Sequence, residues 1–265
     1  MNMRLPLSLL LMAALAACSG QDTPAPQDTS GPATGAAPAA APQDTDASAP
    51  ATPQEGDAGE PAAPAAPAPA APSGPAPVAG VDYTVIENGQ PFQPVAGKIE
   101  VAEVFGYTCP HCASFDPVFE GWARRQPADV NVVLVPGAFG GFWTPYARAF
   151  YAAESLGVLA QTHQPMFAAI HLERSMAVNA NVGAADLAPF YAKHGVDAKR
   201  FTDAFNSFGV DAKVNRARQF AARSRIEGTP ALVVAGKYSI NVDQHGFEKM
   251  LHTAEWLVAQ ERAAR

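Results

Sequence analysis

The sequence predicts an α/β fold that contains an inserted block of helices and is preceded by a disordered linker. A strand, a helix and a second strand follow one another between Lys98 and Val135. Such a unit implies a parallel strand pair joined by a right-handed crossover. Residues 141–225 show helical periodicity without a comparable strand, and two strands and a helix follow from Ala231. The predicted order is therefore βαβ, helices, ββα.

Residues 1–17 have the pattern of a lipoprotein signal peptide. A short basic start, Met1–Arg4, precedes an apolar run, Leu5–Ala17, that is too short to span a bilayer permanently. The run ends in Leu-Ala-Ala-Cys, which resembles the bacterial lipobox, where cleavage occurs before a cysteine that then receives a lipid. The alternative is an ordinary signal peptide with an incidental Cys18. We favour lipidation because Cys18, followed by a disordered stretch, has no evident disulfide partner.

Residues 18–80 have the composition of a disordered acidic tether. Between Ser19 and Gly80 lie 14 prolines and seven of the chain's 25 acidic residues, with no basic and no aromatic residue. Such a segment cannot bury enough apolar surface to fold. The net charge of −7 therefore belongs to this linker, and no basic patch elsewhere indicates a nucleic-acid partner. A tether is its simplest physical use, and a spacer of no particular role is the alternative.

The elements of the folded part are predicted from apolar periodicity and turn residues. The first part has three strands and one helix: strands over 81–86, 98–105 and 130–135, and a helix over 110–126. Five helical segments follow, over 144–156, 159–171, 184–194, 198–208 and 211–225. A hairpin over 231–235 and 238–242 precedes a last helix that starts at Gly246. Residues 81–140 and 226–265 are thus predicted to form one domain, into which a helical domain, 141–225, is inserted.

Two cysteines, Cys109 and Cys112, lie two residues apart where a predicted strand meets a predicted helix. At a helix N-terminus the free N–H groups and the helix dipole favour an anion, so Cys109 should ionise readily. Pro110 suits the first helical turn, and His111 adds a positive influence beside Cys109. Because a stabilised thiolate favours the reduced form, the disulfide form should tend to oxidise other dithiols.

Other functions of a Cys-x-x-Cys pair are less consistent with this sequence. A structural zinc site needs four ligands, and haem attachment needs histidine directly after the second cysteine, where Ala113 stands. A copper-carrying dithiol stays open, although methionine or histidine would usually assist it. A purely structural disulfide would close too small a loop to add much stability.

The segment Phe105–Cys112, Phe-Gly-Tyr-Thr-Cys-Pro-His-Cys, closely resembles the active-site stretch of DsbA-type thiol:disulfide interchange proteins. The resemblance implies a thioredoxin-like fold, βαβ…ββα, with an inserted helical domain. Downstream, Gly228–Val234 resembles the second signature of that family, in which a proline enters a strand after a cis peptide bond. The resemblance then implies that Thr229 and Pro230 face the dithiol and bind an extended substrate through the main chain.

Glu103 matches a further position of the family, which carries a buried acid near the inner cysteine. Such a carboxyl would have a raised pKa and could exchange a proton with Cys112. The alternative is a solvent-facing residue at a strand edge. Because successive side chains of a strand point to opposite faces, Glu103 shares a face with the apolar Val101 and Phe105, which favours its burial.

The family resemblance implies an exported thiol:disulfide oxidoreductase that donates its Cys109–Cys112 disulfide to reduced, newly exported proteins. A mixed disulfide on Cys109 is the expected intermediate, and a DsbB-like quinone-linked membrane oxidase is the expected partner for reoxidation. We expect a periplasmic monomer, anchored to an envelope membrane through Cys18, with no metal and no cofactor besides the redox-active disulfide. The alternatives are a dithiol reductase or isomerase in the same compartment, and a copper-binding dithiol module.

The remaining histidines and the aromatic residues of the helical block receive no functional assignment. The histidines at 163, 171, 194, 245 and 252 show no convergent ligand spacing and are expected to be surface or structural residues. The aromatic side chains are expected to form the core of the block, although some could line an apolar groove; they are Trp143, Tyr146, Phe150, Tyr151 and Phe167.

Overall fold

The computed structural model describes residues 72–242 and 246–265. The predicted signal peptide, Cys18 and the tether as far as residue 71 lie outside these residues. The described elements are β1 (Thr84–Val85), β2 (Ile99–Phe105), α1 (Pro110–Ala123), β3 (Val130–Pro136), α2 (Trp143–Ser155), α3 (Leu159–His171), α4 (Ala184–Lys193), α5 (Ala198–Phe205), α6 (Phe208–Arg223), β4 (Ala231–Val234), β5 (Tyr238–Asn241) and α7 (Gly246–Ala263). Their order confirms the predicted βαβ, helices, ββα arrangement.

The strands form one mixed sheet in the order β1-β5-β4-β2-β3. Strands β2 and β3 pair in parallel, as the crossover through α1 requires, and the other neighbouring pairs are antiparallel. Strand β2 is paired on both sides and buried along its whole length. Its nearly continuous apolar sequence is typical of a strand covered on both faces.

Two core clusters cover the two faces of the sheet. One joins strand residues to α1 and α7, and its members include Val101, Phe115, Phe119, Trp122, Leu232 and Leu257. The other joins the sheet to the helical block, and its members include Val104, Val135, Phe150, Phe167 and Phe220. The dithiol belongs to the second cluster, and α1 contacts both α3 and α7.

The structure differs from the sequence prediction most at the beginning of the folded part. Strand β1 has two residues rather than the six predicted over 81–86. Ordered contacts also begin before Val81, because Ala79 forms a bridge with Tyr83 and the Ser73 carbonyl accepts a hydrogen bond from His252 at 2.8 Å. Residues 73–83 make these contacts through main-chain atoms, so their composition does not predict them. Within residues 72–242 and 246–265, no helix combines the length and apolar character that crossing a membrane requires.

Candidate active site

Cys109 is the N-cap residue of α1. Its backbone is extended, with φ −89° and ψ 118°, and its Sγ accepts a hydrogen bond from the Cys112 N–H at 3.4 Å. Pro110 occupies the first position of the helix, where a missing N–H donor has no cost. The sequence therefore places the first sulfur where unpaired helix N–H groups favour a negative charge.

The environment of Cys109 stabilises its thiolate. Its pKa is lowered to about 5, chiefly by a hydrogen bond with the Cys112 thiol. The Thr229 side chain and the main-chain N–H groups of Cys112 and His111 lower it further, whereas burial opposes the shift. The side chain of His111 is exposed, and the main-chain N–H group of this residue is one of the groups that lower the pKa of Cys109.

The two cysteines are free thiols with different access to solvent. Cys109 is 8% exposed, whereas Cys112 is fully buried and its Sγ accepts a hydrogen bond from the Gly106 N–H at 3.4 Å. Burial raises the pKa of Cys112, and the neighbouring Cys109 raises it further. The pair is thus divided into an outer thiolate and an inner thiol.

The loop before β4 contacts the outer sulfur. The Thr229–Pro230 peptide bond is cis, and the Thr229 carbonyl oxygen lies 3.4 Å from Cys109 Sγ, which donates a hydrogen bond to it when protonated. This loop and the α1 N-terminus border a cleft of about 570 Å³, lined by Thr108, Cys109, Pro110, Phe139, Phe142, Trp143, Ile226, Glu227, Gly228 and Thr229. Phe139 and Phe142 are 43% and 40% exposed, so an apolar surface adjoins the sulfur.

Glu103 is buried in the centre of β2, as its position in the alternating pattern predicts. It is 1% exposed, and its Oε1 has no hydrogen-bond partner among the described residues. Burial raises the pKa of this carboxyl well above its ordinary value, and the charges of Asp116 and Cys109 add to the effect. A raised pKa favours the protonated carboxyl, and Glu103 lies close enough to the dithiol for the charge of Cys109 to affect it.

A buried polar network next to the dithiol was not anticipated from the sequence. The Tyr107 hydroxyl contacts Nδ1 of His163 at 2.8 Å, and Nε2 of His163 contacts Oδ1 of Asp116 at 2.9 Å. His171 contacts the Tyr107 carbonyl at 2.7 Å. His163 and His171 are thus not simple surface residues. Asp116 follows Cys112 by one helical turn, so the sequence could have indicated that it lies near the dithiol. Nothing in the sequence indicates its contact with a histidine 47 residues away.

Of the predicted site residues, the structure brings Cys109, Cys112, Glu103 and Thr229 into one neighbourhood, while Cys18 lies outside the described residues. In the part of the chain that is described, no group of three or more histidine, cysteine, aspartate or glutamate residues is arranged to hold a metal ion. The residues that the site brings together offer the chemistry of a polarised dithiol beside a buried acid.

Known proteins resemble this chain in both sequence and fold. Residues 100–252 match the family model of the DSBA-like thioredoxin domain. The thiol:disulfide interchange protein DsbA of Pseudomonas aeruginosa is 37% identical over 188 residues, which are 70% of this chain and 86% of that protein. The DsbA of Azotobacter vinelandii is 38% identical over 175 residues, 65% of this chain and 80% of that protein.

Solved structures lead to the same family. The oxidoreductase DsbA from Xylella fastidiosa aligns with a TM-score of 0.68 and 49% identity, over 71% of this chain and 98% of that one. Pseudomonas aeruginosa DsbA aligns with a TM-score of 0.65 and 37% identity, over 71% of this chain and 95% of that one. These relatives do not favour the reductase, isomerase or copper-carrier alternatives. The chain belongs to the DSBA-like thioredoxin family of protein-disulfide oxidoreductases.

Proposed function

We propose that this protein donates its Cys109–Cys112 disulfide to reduced, newly exported proteins. The observation that supports this most strongly is the division of the pair, with a thiolate favoured at Cys109 and a thiol at the buried Cys112. A stabilised thiolate favours the reduced form, so the disulfide form should be a strong oxidant. The cysteine pair itself supplies the oxidising equivalents, and the proposal requires no further cofactor and no metal.

The first step is attack of a substrate thiolate on Cys109 Sγ. A bond forms between the substrate sulfur and Cys109, and the Cys109–Cys112 bond breaks with its electron pair passing to Cys112 Sγ. Glu103, which is buried nearby and has a raised pKa, gives a proton to this leaving sulfur. The products are a mixed disulfide on Cys109 and a neutral thiol at Cys112.

The second step resolves the mixed disulfide. A second substrate thiolate attacks the substrate sulfur, and Cys109 leaves as the thiolate that the α1 N-terminus and Thr229 stabilise. The substrate has lost two electrons to the cysteine pair. A DsbB-like membrane protein linked to quinone would then remove these electrons and restore the disulfide.

The substrate is proposed to be an unfolded polypeptide that lies across the cleft beside Cys109. Phe139, Phe142 and Trp143 provide an apolar wall, and the Thr229–Pro230 loop provides main-chain groups for an extended strand. Main-chain pairing is insensitive to sequence, and apolar contacts accept many side chains. This combination suits an enzyme that acts on many unfolded proteins.

Oxidation of a reduced dithiol peptide by the purified disulfide form tests this function. Cys109→Ser should abolish the reaction. Cys112→Ser retains the Cys109 sulfur that the substrate attacks but cannot form the internal disulfide, so after chemical activation of Cys109 it should accumulate a mixed disulfide with the peptide. A Cys109→Ser protein that still oxidised the peptide would rule out the mechanism.

We further propose that the enzyme is a periplasmic monomer held on an envelope membrane by a lipid on Cys18. The lipobox-like Leu15–Cys18 and the acidic linker support this assignment. Cys18→Ser should release the protein into the soluble periplasmic fraction without changing its exchange rate in solution. Continued membrane association of that variant, or a soluble native protein, would contradict the anchor.

A further inference from the structure

The active-site segment, Gly106–Thr108, contacts both cysteines through its first residue. The Gly106 N–H donates to Cys112 Sγ at 3.4 Å, and the Gly106 carbonyl accepts from the Cys109 N–H at 3.0 Å. Cys112 Sγ is the atom that receives the electron pair when the internal disulfide breaks. An N–H group directed at that sulfur stabilises the negative charge that develops there. The position of the active-site segment therefore affects the proposed disulfide exchange directly.

Tyr107, the middle residue of the active-site segment, is held by two histidines of α3. Nε2 of His171 lies 2.7 Å from the Tyr107 carbonyl oxygen, and Nδ1 of His163 lies 2.8 Å from the Tyr107 hydroxyl. A carbonyl oxygen can only accept, so the Nε2–H group of His171 donates this hydrogen bond. One histidine thus holds the main chain of Tyr107, and the other holds its side chain.

The side chain of Tyr107 is fixed within a buried network. Tyr107 and His163 are 2% and 8% exposed, and Nε2 of His163 lies 2.9 Å from Asp116 Oδ1. Donation from this Nε2–H group to Asp116 leaves Nδ1 to accept from the Tyr107 hydroxyl. The Tyr107 ring also packs on Phe167, with centroids 5.0 Å apart. Because these groups are buried, Tyr107 cannot move without breaking hydrogen bonds that water does not replace.

The main chain of Tyr107 is held at the C-terminus of α3. His171 is the last residue of that helix, and its ring stacks on Phe167 with centroids 6.3 Å apart. His171 is half-buried and lines a cleft of about 440 Å³ between α1 and α3. Since its side chain lies at the edge of the core, a replacement can remove the hydrogen bond to Tyr107 and keep most of the packing. The hydrogen bond can therefore be tested separately from the fold.

We propose that His171 is a positioning residue for disulfide exchange, because through the Tyr107 carbonyl it holds the Gly106 N–H against the sulfur of Cys112. The proposal rests on the disulfide-donor function and extends it to the helical block. When a substrate thiolate attacks, the electron pair of the broken disulfide passes to Cys112 Sγ, where the Gly106 N–H is already in place. The helical block thus supports the dithiol site through the end of α3.

Two replacements of His171 separate the hydrogen bond from packing. Leucine has no donor, whereas the amide of glutamine can donate to the Tyr107 carbonyl. His171→Leu should lower the equilibrium constant for oxidation of glutathione by the whole protein, because the reduced form loses a donor to Cys112 Sγ. The expected decrease is about two- to tenfold, the effect of one hydrogen bond. His171→Gln should stay close to the native protein.

The rate at which a reduced peptide attacks the disulfide form should change in the same way. His171→Leu should react more slowly than the native protein by about two- to tenfold, and His171→Gln should restore the rate. His194→Leu is the matched control, because His194 is the C-cap residue of α4 and its ring contacts Phe190 with centroids 4.8 Å apart. This replacement at the end of another helix of the block should change neither the rate nor the glutathione equilibrium.

Hydrogen exchange of the Gly106 amide in the reduced protein measures the positioning without a redox step. The amide should exchange about two- to tenfold faster in His171→Leu than in the native protein, and at the native rate in His171→Gln. Unchanged exchange or an unchanged glutathione equilibrium in His171→Leu would overturn the inference. Equal effects of the two replacements would also overturn it, since they would indicate packing alone. Failure of the native protein to oxidise the peptide would instead overturn the proposed function, and the Gly106 exchange does not depend on that activity.

Discussion

Four hydrogen-bonding groups lower the pKa of Cys109. They are the Cys112 thiol, the Thr229 side chain and the main-chain N–H groups of Cys112 and His111. Each is held by a different part of the local structure, since α1 supplies three and the loop before β4 supplies one. The thiolate is therefore stabilised by fixed groups, and the stabilisation exists only in the folded protein.

In the reduced protein, the Cys109 thiolate should contribute stability that is lost as the pH falls from about 9 to about 5. Between these values the unfolded chain keeps a proton on Cys109 that the folded protein has released, so a rise in pH favours the folded state. The disulfide form has no such thiolate. Urea denaturation of both forms across this range should show that the free energy of unfolding of the reduced form increases with pH relative to that of the disulfide form. A difference independent of pH would contradict the thiolate assignment.

Thr229→Val should raise the pKa of Cys109, because it removes a hydroxyl that lowers it. Titration of the thiolate absorbance in the ultraviolet would show the midpoint moving to higher pH. Thr229→Ser keeps a hydroxyl and should stay close to the native protein. An equal shift in both variants would indicate that packing, not the hydroxyl, determines the effect.

The residues of the dithiol site differ in how far the sequence could predict them. Cys109 and Cys112 were identifiable because they are close together in the chain. Alternation favoured burial of Glu103, but the structure buries it because every residue of the central strand β2 is buried. His163 was not identifiable, because its partners lie 47 and 56 residues away and its own helix shows only apolar periodicity. Contacts between a core helix and an inserted helix depend on tertiary packing alone.

At the scale of elements, Gly106 is the point where β2, α1 and α2 meet. Its N–H donates to Cys112 Sγ, and a Cβ atom built on it would lie 2.0 Å from Cζ3 of Trp143, the first residue of α2. A side chain at this position would displace the Trp143 ring. Glycine thus allows the helical block to approach the segment that leads to Cys109.

Gly106→Ala should destabilise the protein by about 1–3 kcal/mol, the usual cost of overpacking. The displaced ring should also change the tryptophan fluorescence and reduce the rate of peptide oxidation. Gly121→Ala is the matched control, since its Cβ would meet only Arg125 Nη1 at 3.7 Å and alanine favours the helix. Equal unfolding free energies for the two variants would show that the close approach has no energetic importance.

The longer elements agree with the sequence prediction, and the beginning of the folded part does not. Helix α3 has the predicted bounds, Leu159–His171, and β2 differs from its predicted bounds by one residue. In such long periodic segments many residues support the same assignment. Strand β1 is much shorter than predicted. It pairs along a sheet edge, where few side chains are buried and alternation carries little information.

For the whole molecule, the topology gathers groups from distant parts of the chain at one end of the sheet. Strand β2 supplies Glu103, α1 supplies the dithiol and Asp116, α3 supplies His163, and the loop before β4 supplies Thr229. The acidity of the chain lies in the linker sequence, so the folded part presents the sulfur beside an apolar cleft and not in a strongly charged field. This arrangement favours disulfide exchange with unfolded chains.

The equilibrium of the Cys109–Cys112 pair with a glutathione buffer tests the central claim most directly. The fraction of reduced protein is measured across a series of ratios of reduced to oxidised glutathione. If the folded protein stabilises the Cys109 thiolate as described, the midpoint should be more oxidising than about −200 mV and approach the value of about −120 mV typical of strong dithiol oxidants. A midpoint near the thioredoxin value of about −270 mV would contradict the account and indicate a reductase.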